Sequence, residues 1–408
     1  MKILYIADLA SPIAQNWIRN FCQSDDVAVI SSQRVCELDF QVRVYHVPFA
    51  ISFLHQFSTT QMARTHKPQT RAAHLLRVLN RRLNLQALWQ SYAAPLDAMR
   101  MWARVQKIAD AFKPDLVHAL RIPTEGFSAA KVSGAPLVLS VWGNDFTLHA
   151  NRSPLTRHLT RVALQRASGL HADCARDIRL ARAYGYAANG ATLVIPTAGG
   201  ISQRIIDPAR VQTWRQELNI SAHAPIVINP RGTRAYVCLQ EFFQSIPLVL
   251  RACPDVIFIC VAMQGHPLVT QWVKKLGIEK SVRLLPVVSQ ADLAALFNLA
   301  AVMVSPTTHD GTPNTLLEAL AQGAFPVASD LESIREWIVP GENGLLFDPT
   351  NPNALADVTL CALNDDSLRE TARVLNQQRI RESANYDQCM QQAREFYAQV
   401  IEDARDGR

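Results

Sequence analysis

The sequence has no hydrophobic run long enough to cross a membrane. Its longest strongly apolar stretch, residues 256–263, is far below the roughly 18 residues that a transmembrane helix needs. No signal peptide is expected, because "MKILYIADLA" leads at once into strand-like sequence without a small-residue cleavage site. The eight cysteines contain no CxxC motif and no paired spacing, which favours reduced thiols. These absences predict a soluble, cytoplasmic chain.

Two kinds of ligand-binding motif are also missing. No Gly-x-Gly-x-x-Gly follows the first predicted strand, which argues against a dinucleotide-dependent oxidoreductase. No Asp-x-Asp occurs, and the His and Cys residues form no cluster at metal-ligand spacing. We therefore expect chemistry that requires neither a metal nor a redox cofactor.

The composition is that of a folded protein with two or three domains, since the chain has 408 residues, 49% of them hydrophobic and 19% charged. Residues 1–200 hold 23 Lys and Arg against 12 Asp and Glu, a net charge of +11. The remaining residues hold 18 against 23, a net charge of −5. A basic half indicates an anionic membrane, an acidic ligand or a nucleic acid. No nucleic-acid-binding motif accompanies it, so nucleic acid ranks last.

Short β-branched runs alternate with amphipathic helical segments almost throughout. Strands are predicted at 2–7, 27–31, 41–47, 115–119, 136–141, 168–172, 192–196, 225–229, 255–262, 281–285, 301–305, 325–328 and 344–347. Continuous apolar strands separated by helices are typical of parallel sheets covered on both faces. The pattern predicts an α/β protein with two doubly wound, Rossmann-like domains facing a cleft. Their ranges are 1–200 and 201–380, and a C-terminal helix in 381–408 is expected to pack back across them.

Residues 62–110 carry nine basic side chains against two acidic ones, with Leu, Trp and Met interleaved. The basic residues are Arg64, Lys67, Arg71, Arg77, Arg81, Arg82, Arg100, Arg104 and Lys107. A solvated helical insertion is one interpretation, because most charge runs are of that kind. A surface that rests on anionic lipid is the other.

The loop after strand 301–305 precedes a well-specified helix. Thr312 is a suitable N-cap, Pro313 suits the first turn and Gly323 suits the C′ position, so a helix is predicted over 313–322. Its N-terminus offers backbone amides and the positive end of the helix dipole beside Gly311. An anion is therefore expected at this end of the helix.

Two arginines follow a neighbouring strand of the same predicted sheet. Arg231 and Arg234 lie directly after strand 225–229, and ligands in doubly wound sheets bind beyond the carboxyl ends of strands. A guanidinium stays charged and donates hydrogen bonds to two phosphate oxygens at once. Together with the helix N-terminus, the arginines favour a diphosphate ligand, although surface salt bridges are the alternative.

Glu318 lies among Leu316, Leu317, Ala319 and Leu320 in the predicted helix. Burying a carboxylate in such surroundings is costly unless hydrogen-bond donors satisfy it. This donor need not belong to the protein.

The spacing Asp310-x7-Glu318, the run "TPNTLLEALAQGAFPVASDLESIREWIVPGENGLLF", the upstream "PRGTR", and the N-terminal "DLVHA" and "SVWGND" resemble the retaining GT-B glycosyltransferases of the broad family 4 class. The resemblance is dense over 225–350 and thinner over 1–200. It implies transfer of a sugar, of the hexosyl type, from a nucleotide-diphosphate donor to a hydroxyl group with retention at the anomeric carbon. It also implies that no metal ion is required.

The resemblance assigns roles to several residues of the C-terminal half. Glu318 would hold the ribose hydroxyls of the nucleotide, and Asp310 would bind hydroxyls of the donor sugar. Gly311 and Thr312 would present backbone amides to sugar or phosphate, Arg231 would neutralise the leaving diphosphate, and Arg234 stands nearest to the lysine of the family. Backbone in the loops 263–265 and 285–288, which include Gly265, would contact the base.

Two residues of the N-terminal half are further candidates. His118 ends a strand and matches a family histidine near the reacting sugar, but a core histidine with satisfied hydrogen bonds is equally consistent with the sequence. Asp145, in "WGND", follows another strand and is either a ligand-binding residue or part of a turn.

Two departures from the family pattern leave alternatives open. The first acid of the paired motif is Asp310 instead of Glu, and "ADLASPIAQNW" replaces the usual glycine-rich loop after the first strand. The main interpretation is a membrane-peripheral glycosyltransferase acting on a glycan or lipid-linked acceptor in polysaccharide synthesis. The alternatives are a non-catalytic nucleotide-sugar-binding subunit and a sugar-phosphate synthase or epimerase of the same fold.

Overall fold

The computed structural model describes residues 1–33, 38–47, 89–202 and 206–407. All thirteen predicted strands are present, and each end lies within two residues of its predicted position. In the described part of the chain no helix is both long and apolar enough to span a membrane, and its seven cysteines form no disulfide.

The chain forms two compact units. The first contains residues 1–198 together with 390–408, and the second contains residues 199–389. The last helix, Tyr386–Arg405, begins in the second range and continues in the first. The C-terminal residues therefore belong to the same unit as the N-terminal sheet.

The first unit is built on a parallel sheet with the order β3-β2-β1-β4-β5-β6-β7. Its strands are β1 (Lys2–Ile6), β2 (Asp26–Ser31), β3 (Arg43–His46), β4 (Leu116–Ala119), β5 (Leu137–Val141), β6 (Gly169–Ala172) and β7 (Ala191–Val194). Its helices are α1 (Pro12–Cys22), α2 (Ala94–Arg100), α3 (Trp102–Phe112), α4 (Phe127–Ala129), α5 (Pro154–Arg166) and α6 (Ala175–Ala183). Single π-type turns lie at Trp89–Ala93, Ile122–Gly126 and Asp145–His149.

The second unit has a parallel sheet with the order β10-β9-β8-β11-β12-β13. Its strands are β8 (Ile226–Asn229), β9 (Ile257–Cys260), β10 (Val282–Leu284), β11 (Val302–Ser305), β12 (Phe325–Ser329) and β13 (Leu345–Phe347). Its helices are α7 (Pro208–Glu217), α8 (Leu239–Ala252), α9 (Pro267–Leu276), α10 (Gln290–Leu299), α11 (Asn314–Gln322), α12 (Glu332–Arg335), α13 (Pro352–Asn364) and α14 (Asp366–Ser383). The last helix, α15 (Tyr386–Arg405), lies mainly in the first unit.

The central strands are buried on both faces, as their unbroken apolar sequences predict. All four residues of β8 and of β11 are buried, and two separate apolar clusters of the second unit draw residues from these strands. Each fully buried Val, Leu or Ile side chain contributes roughly 1.5–3 kcal/mol of hydrophobic free energy. The sheet is therefore a rigid frame from which the polar loops extend.

Helix α15 packs against the first sheet through a buried hydrogen-bond network around Tyr397. The Tyr397 hydroxyl accepts from Trp17 Nε1 at 2.9 Å and lies 3.3 Å from the Tyr5 hydroxyl. His118 Nδ1 is also within hydrogen-bond distance of it. At the other side of the ring, His118 Nε2 is 2.8 Å from Ser140 Oγ. This polar network joins the C-terminal helix to β1, β4 and β5.

Candidate functional site

The second sheet reverses its strand order between β8 and β11. Chain order runs from β8 through β9 to β10 on one side, and the next strand, β11, lies on the other side of β8. Loops leaving adjacent strands at such a switch point diverge and leave a crevice where doubly wound proteins bind ligands. The loop after β8 carries Arg231, and the loop after β11 carries Asp310.

Arg231 and Asp310 meet at this crevice although they are 79 residues apart in sequence. Arg231 Nη2 donates to Asp310 Oδ2, and Nη1 donates to Thr315 Oγ1 at 2.9 Å. The arginine is 5% exposed, so its charge acts in a poorly hydrated environment. The Arg231 backbone amide donates to Asn229 Oδ1 at 3.0 Å, which fixes the start of the loop.

Four buried polar atoms around the crevice have no hydrogen-bond partner among the residues that the structure describes. They are Asn229 Nδ2, Arg231 Nε, Ser305 Oγ and Asn314 Oδ1. Leaving a buried donor or acceptor unsatisfied costs about 1–3 kcal/mol. Asn229 ends β8 and Ser305 ends β11 at the same edge of the sheet, and Asn314 is the first residue of α11. A polar ligand bound at this edge would therefore satisfy several of these atoms at once.

Helix α11 begins one residue later than the sequence predicted, and Thr312 is not its N-cap. Pro313 occupies the N-cap position, and no side chain caps the helix. The Thr312 hydroxyl instead accepts from Trp337 Nε1 at 3.0 Å, because tertiary packing brings this indole to it. The predicted C-terminal end is confirmed, since Gly323 has a left-handed φ of 87°. The N-terminus of α11 thus keeps backbone donors for an anion.

Glu318 is half-buried and has a protein donor. Gln290 Nε2, at the first residue of α10, donates to Glu318 Oε1 at 3.0 Å. One oxygen of this carboxylate is therefore satisfied by the protein itself. The neighbouring Leu316, Leu317, Ala319 and Leu320 are fully buried, so Glu318 lies on the polar edge of an otherwise apolar helix.

The other candidates of the second unit differ in their burial. Gly311 and Thr312 are buried beside Asp310, whereas Gly265 is exposed with a φ of 76° in the loop after β9. Arg234 is exposed as well, and its side chain forms no ion pair with any residue in the described part of the chain. The structure thus brings Arg231, Asp310 and the start of α11 together and leaves Arg234 available to solvent.

In the first unit, His118 is a core residue. It is fully buried in β4 and both ring nitrogens are engaged, by Tyr397 and Ser140. Burial and the neighbouring His171 hold the pKa of His118 well below its usual range. Of the two alternatives left open by the sequence, the geometry favours the satisfied core histidine.

Asp145 is buried and organises the loops after β4 and β5. Its Oδ1 accepts from Arg121 Nε at 3.0 Å, and its Oδ2 accepts from the backbone amides of Trp142 at 3.1 Å and Ile122 at 3.3 Å. Burial raises the pKa of Asp145, and Arg121 opposes that increase. The carboxylate therefore stabilises a turn, as the sequence allowed. It also holds the Arg121 side chain in position.

Arg121, His149 and Glu125 were not singled out from the sequence. Arg121 Nη2 donates to His149 Nε2 at 2.9 Å, and burial raises the pKa of Glu125 to about 8, with Arg121 opposing the shift. One signal was available: the segment "LRIPTEG" follows β4, and polar residues beyond a parallel strand are candidates for ligand binding.

One group of side chains in the described part of the chain has metal-ligand proximity. Ligand atoms of Asp173, Cys174 and Asp177 lie within 4.8 Å of one another, and all three residues are buried. The guanidinium of Arg176 forms an ion pair with Asp177 at 2.8 Å. A positive charge is therefore already present at this group, which makes it a poor site for a further cation.

Two protein-family models match the chain. The model "Glycosyl transferases group 1" covers residues 233–365, and the model "Glycosyl transferase 4-like" covers residues 80–173. The first range contains Asp310, α11 and Glu318, and the second contains Arg121 and Asp145. The chain belongs to the GT-B, group 1 class of glycosyltransferases.

Curated relatives match this group 1 chain over part of its length. It is 26% identical to a D-inositol 3-phosphate glycosyltransferase of Corynebacterium glutamicum over 163 residues, 38% of this chain and 39% of the relative. It is 32% identical to the O-antigen chain mannosyltransferase B of Escherichia coli over 34% of this chain and 36% of the relative. The match thus spans 39% of the length of the first of these relatives and 36% of the second.

Solved structures resemble this chain over almost its whole length. A sucrose-phosphate synthase from Thermosynechococcus elongatus superposes with a TM-score of 0.74 over 98% of this chain and 99% of that one, at 15% identity. HepE of Anabaena, in complex with UDP and glucose, gives a TM-score of 0.72 over 98% of this chain and all of its own, at 17% identity. These likenesses confirm the predicted fold of two doubly wound parallel sheets.

Proposed function

We propose that the chain transfers a sugar from a nucleotide-diphosphate donor to an acceptor hydroxyl, with retention at the anomeric carbon. The observation that carries the proposal is the buried Arg231 at the switch point of the second sheet. Its Nη atoms are held by Asp310 and Thr315, while its Nε has no partner in the described part of the chain. An oriented cation with one unused donor beside an uncapped helix N-terminus suits a phosphate oxygen.

In this proposal the positive groups at the crevice stabilise the leaving diphosphate. Arg231 supplies a fixed charge, the exposed Arg234 adds a mobile one, and the backbone near Gly311 contributes amides. Charge develops on the departing nucleotide in the transition state, and preorganised donors stabilise it most in a poorly hydrated site. Such an arrangement performs the task that a divalent ion performs elsewhere, so we propose that turnover does not require a metal.

The proposed retention follows a route without a protein nucleophile. Asp310 is the acid that follows β11 at the crevice, and its Oδ2 is engaged by Arg231. An ion-paired carboxylate is a weakened nucleophile because the guanidinium stabilises its charge. The acceptor hydroxyl would therefore attack from the face that the nucleotide leaves, while Asp310 orients Arg231 and contacts donor-sugar hydroxyls.

Glu318 is proposed to bind the ribose hydroxyls of the nucleotide. The carboxylate is half-buried and one oxygen is already held by Gln290, which fixes the rotamer in which it would meet a diol. The exposed Gly265 loop after β9 would receive the base. Because the HepE structures contain UDP, uridine diphosphate is the first nucleotide to examine.

The acceptor is proposed to be a glycan or a lipid-linked glycan in polysaccharide synthesis. Support comes from a relative named O-antigen chain mannosyltransferase B and another named phosphatidyl-myo-inositol mannosyltransferase. We further propose a cytoplasmic protein that is peripheral at the inner membrane face and contacts anionic lipid through residues 62–110. Within the described end of this range, Tyr92, Leu96, Arg100, Arg104 and Lys107 are exposed.

Thermal unfolding with UDP, GDP and ADP, each with and without magnesium, tests the nucleotide site. One diphosphate should raise the unfolding temperature independently of magnesium, since a ligand at 100 times its Kd adds about 2.7 kcal/mol. Glu318→Gln should reduce this shift, whereas Glu342→Gln, an exposed acid of the same unit, should not. Absence of stabilisation by all three nucleotides would contradict the proposal.

Turnover separates a transferase from a non-catalytic nucleotide-sugar-binding subunit. Arg231→Lys keeps the charge and removes the planar fork that contacts Asp310 and Thr315. If the wild-type chain releases nucleotide from a UDP-sugar and Arg231→Lys lowers kcat more than donor affinity, the transferase is supported. Binding without release in every acceptor assay would favour the binding subunit.

A further inference from the structure

Three buried side chains in the segment after β12 contact the loop after β11. They are Ser329, Ser333 and Trp337, which follow one another at intervals of four residues, and we call them the clamp. Strands β11 and β12 are parallel neighbours, so the segments that follow them leave the sheet at the same edge. The clamp therefore lies beside the loop that carries Asp310.

The two serines of the clamp bond to backbone groups of this loop. The Ser329 hydroxyl accepts from the Thr307 amide at 2.7 Å and donates to the Ser305 carbonyl at 3.1 Å. The Ser333 hydroxyl donates to the Asp310 carbonyl at 2.8 Å. Because these bonds are buried, breaking one of them leaves a polar group unsatisfied. The serines thus fix the backbone of the loop from one side.

The indole of Trp337 holds the end of the loop, where its Nε1 donates to Thr312 Oγ1 at 3.0 Å. Trp337 is itself held by two side chains. Asn343 Nδ2 donates to the Trp337 carbonyl at 2.9 Å, and the Arg379 guanidinium lies 5.6 Å from the centroid of the Trp337 ring. Arg379 Nη2 also donates to the Glu336 carbonyl at 2.6 Å. These contacts give the indole a fixed orientation.

The Ser333 bond also determines the direction of the Gly311 amide. The Asp310 carbonyl and the Gly311 amide belong to one planar trans peptide group, in which the C=O and N–H bonds point in opposite directions. A carbonyl that points to Ser333 therefore turns the N–H away from the clamp. Gly311 is buried, and its amide donates to no residue in the described part of the chain. Because a buried amide without a partner is costly, this N–H is suited to a ligand.

We propose that Ser333 and Trp337 are positioning residues for sugar transfer. They orient the Gly311 amide and fix Thr312 at the start of α11, and they do not contact the donor themselves. Donors that are oriented in advance stabilise developing charge without any reorganisation in the transition state. The chemistry of this inference rests on the proposed transferase function, whereas the hydrogen bonds of the clamp do not depend on it.

The first test compares turnover with nucleotide binding. Release of nucleotide from UDP-glucose, GDP-mannose and ADP-glucose identifies a donor of the wild-type chain, and thermal unfolding measures the affinity for the matching diphosphate. Ser333→Ala and Trp337→Phe should each lower kcat by about tenfold or more, since one preorganised donor contributes about 10²–10³ in kcat. Diphosphate affinity should fall by less than about threefold, because Glu318 and the Gly265 loop still hold the nucleoside.

A double-mutant cycle assigns the Trp337 effect to its hydrogen bond. Trp337→Phe keeps an aromatic ring beside Arg379, and Thr312→Val removes the acceptor while preserving the shape of the side chain. If the bond carries the effect, the combined variant loses no more kcat than the more impaired single variant. Additive losses would show that Trp337 acts through another contact and would overturn its role.

Matched controls lose the same kinds of bond elsewhere in the second unit. Ser245→Ala removes a buried hydroxyl that donates to the Phe242 carbonyl at 2.7 Å. Trp214→Phe removes an indole that donates to Asp292 at 3.1 Å. Both controls should keep the wild-type kcat. The proposal is overturned if the clamp variants match these controls in kcat, or if their diphosphate affinity falls as much as their kcat.

Hydrogen exchange of the full chain tests the clamp without any donor. Peptides covering residues 307–315 should exchange faster in Ser333→Ala and Trp337→Phe than in the wild type, because the loop opens more often when a bond that holds it is lost. Equal exchange in the variants and the wild type would overturn the clamp. If exchange rises in the variants but the wild type releases nucleotide from none of the three donors, the transferase proposal fails and the clamp stands.

Discussion

Individual charged residues in the two units differ in which neighbouring charge compensates them. Arg231 is paired with Asp310 and Arg121 with Asp145, and in each pair the carboxylate is buried. Glu125 forms no such bond with any arginine of the described residues, and it lines a small cavity of about 20 Å³ together with Ala7 and Thr124. Burial therefore dominates over the attraction of Arg121 and favours the protonated acid.

The raised pKa of Glu125 has a consequence for stability. Between its ordinary value of 4.5 and about 8, the folded state holds a proton that the unfolded state has released, so the free energy of unfolding falls as pH rises. Glu125→Gln removes this dependence. Urea unfolding at about pH 5 and about pH 8 should show that the variant gains stability relative to wild type at the higher pH. An identical difference at both pH values would contradict the assignment.

At the scale of elements, α15 depends on polar contacts as well as apolar burial. Tyr397 connects this helix to α1 through Trp17 and to β4 through His118, and Arg394 forms an ion pair with the buried Asp25 at 2.8 Å. A buried network of this kind specifies one arrangement of the helix, because any displacement leaves several polar groups unsatisfied.

Tyr397→Phe should destabilise the chain by about 1–3 kcal/mol. The substitution preserves the ring, which stacks on Phe21 with centroids 4.9 Å apart, and leaves Trp17 Nε1 and His118 Nδ1 without their shared partner. Tyr92→Phe, at a side chain that is 45% exposed, should change the free energy of unfolding little. Urea denaturation measures both. Equal stability of the two variants would show that the network contributes no net free energy.

At the scale of the whole molecule, charge is segregated along the chain. Residues 1–200 carry a net charge of +11 and the remainder −5, although the overall value is only +6. Basic residues near an anionic membrane contribute about 1 kcal/mol each, and salt screens this attraction. Arg100, Arg104 and Lys107 are exposed together with Tyr92 and Leu96, which combines charge with apolar side chains.

Binding to anionic vesicles should therefore exceed binding to neutral ones and weaken as salt is added. Removing three charges by Arg100→Gln, Arg104→Gln and Lys107→Gln should lower vesicle affinity. The matched triple change Lys274→Gln, Lys275→Gln and Lys280→Gln, at exposed positions of the second unit, should have a smaller effect. Co-sedimentation measures both. Equal affinity for neutral and anionic vesicles at low salt would contradict the membrane proposal.

The local pattern of the sequence determined the strands, the parallel class of the sheets and the end of α11 at Gly323. These features depend on short-range properties: unbroken apolar runs of strand length, and a residue that tolerates positive φ. The loops that carry Arg231 and Asp310 were predictable for the same reason, since they follow strands that the pattern already located.

Only the tertiary structure decided which side chains meet. Arg231 pairs with Asp310 across 79 residues, Glu318 with Gln290 across 28, and His118 with Tyr397 across 279. Thr312 meets Trp337 instead of capping its helix. Each partner lies in a different element, and the choice among competing polar partners depends on distances that sequence periodicity does not contain. The sequence by itself determined which polar residues follow the strands. Packing decided which of them form hydrogen bonds within the protein and which remain available to a ligand.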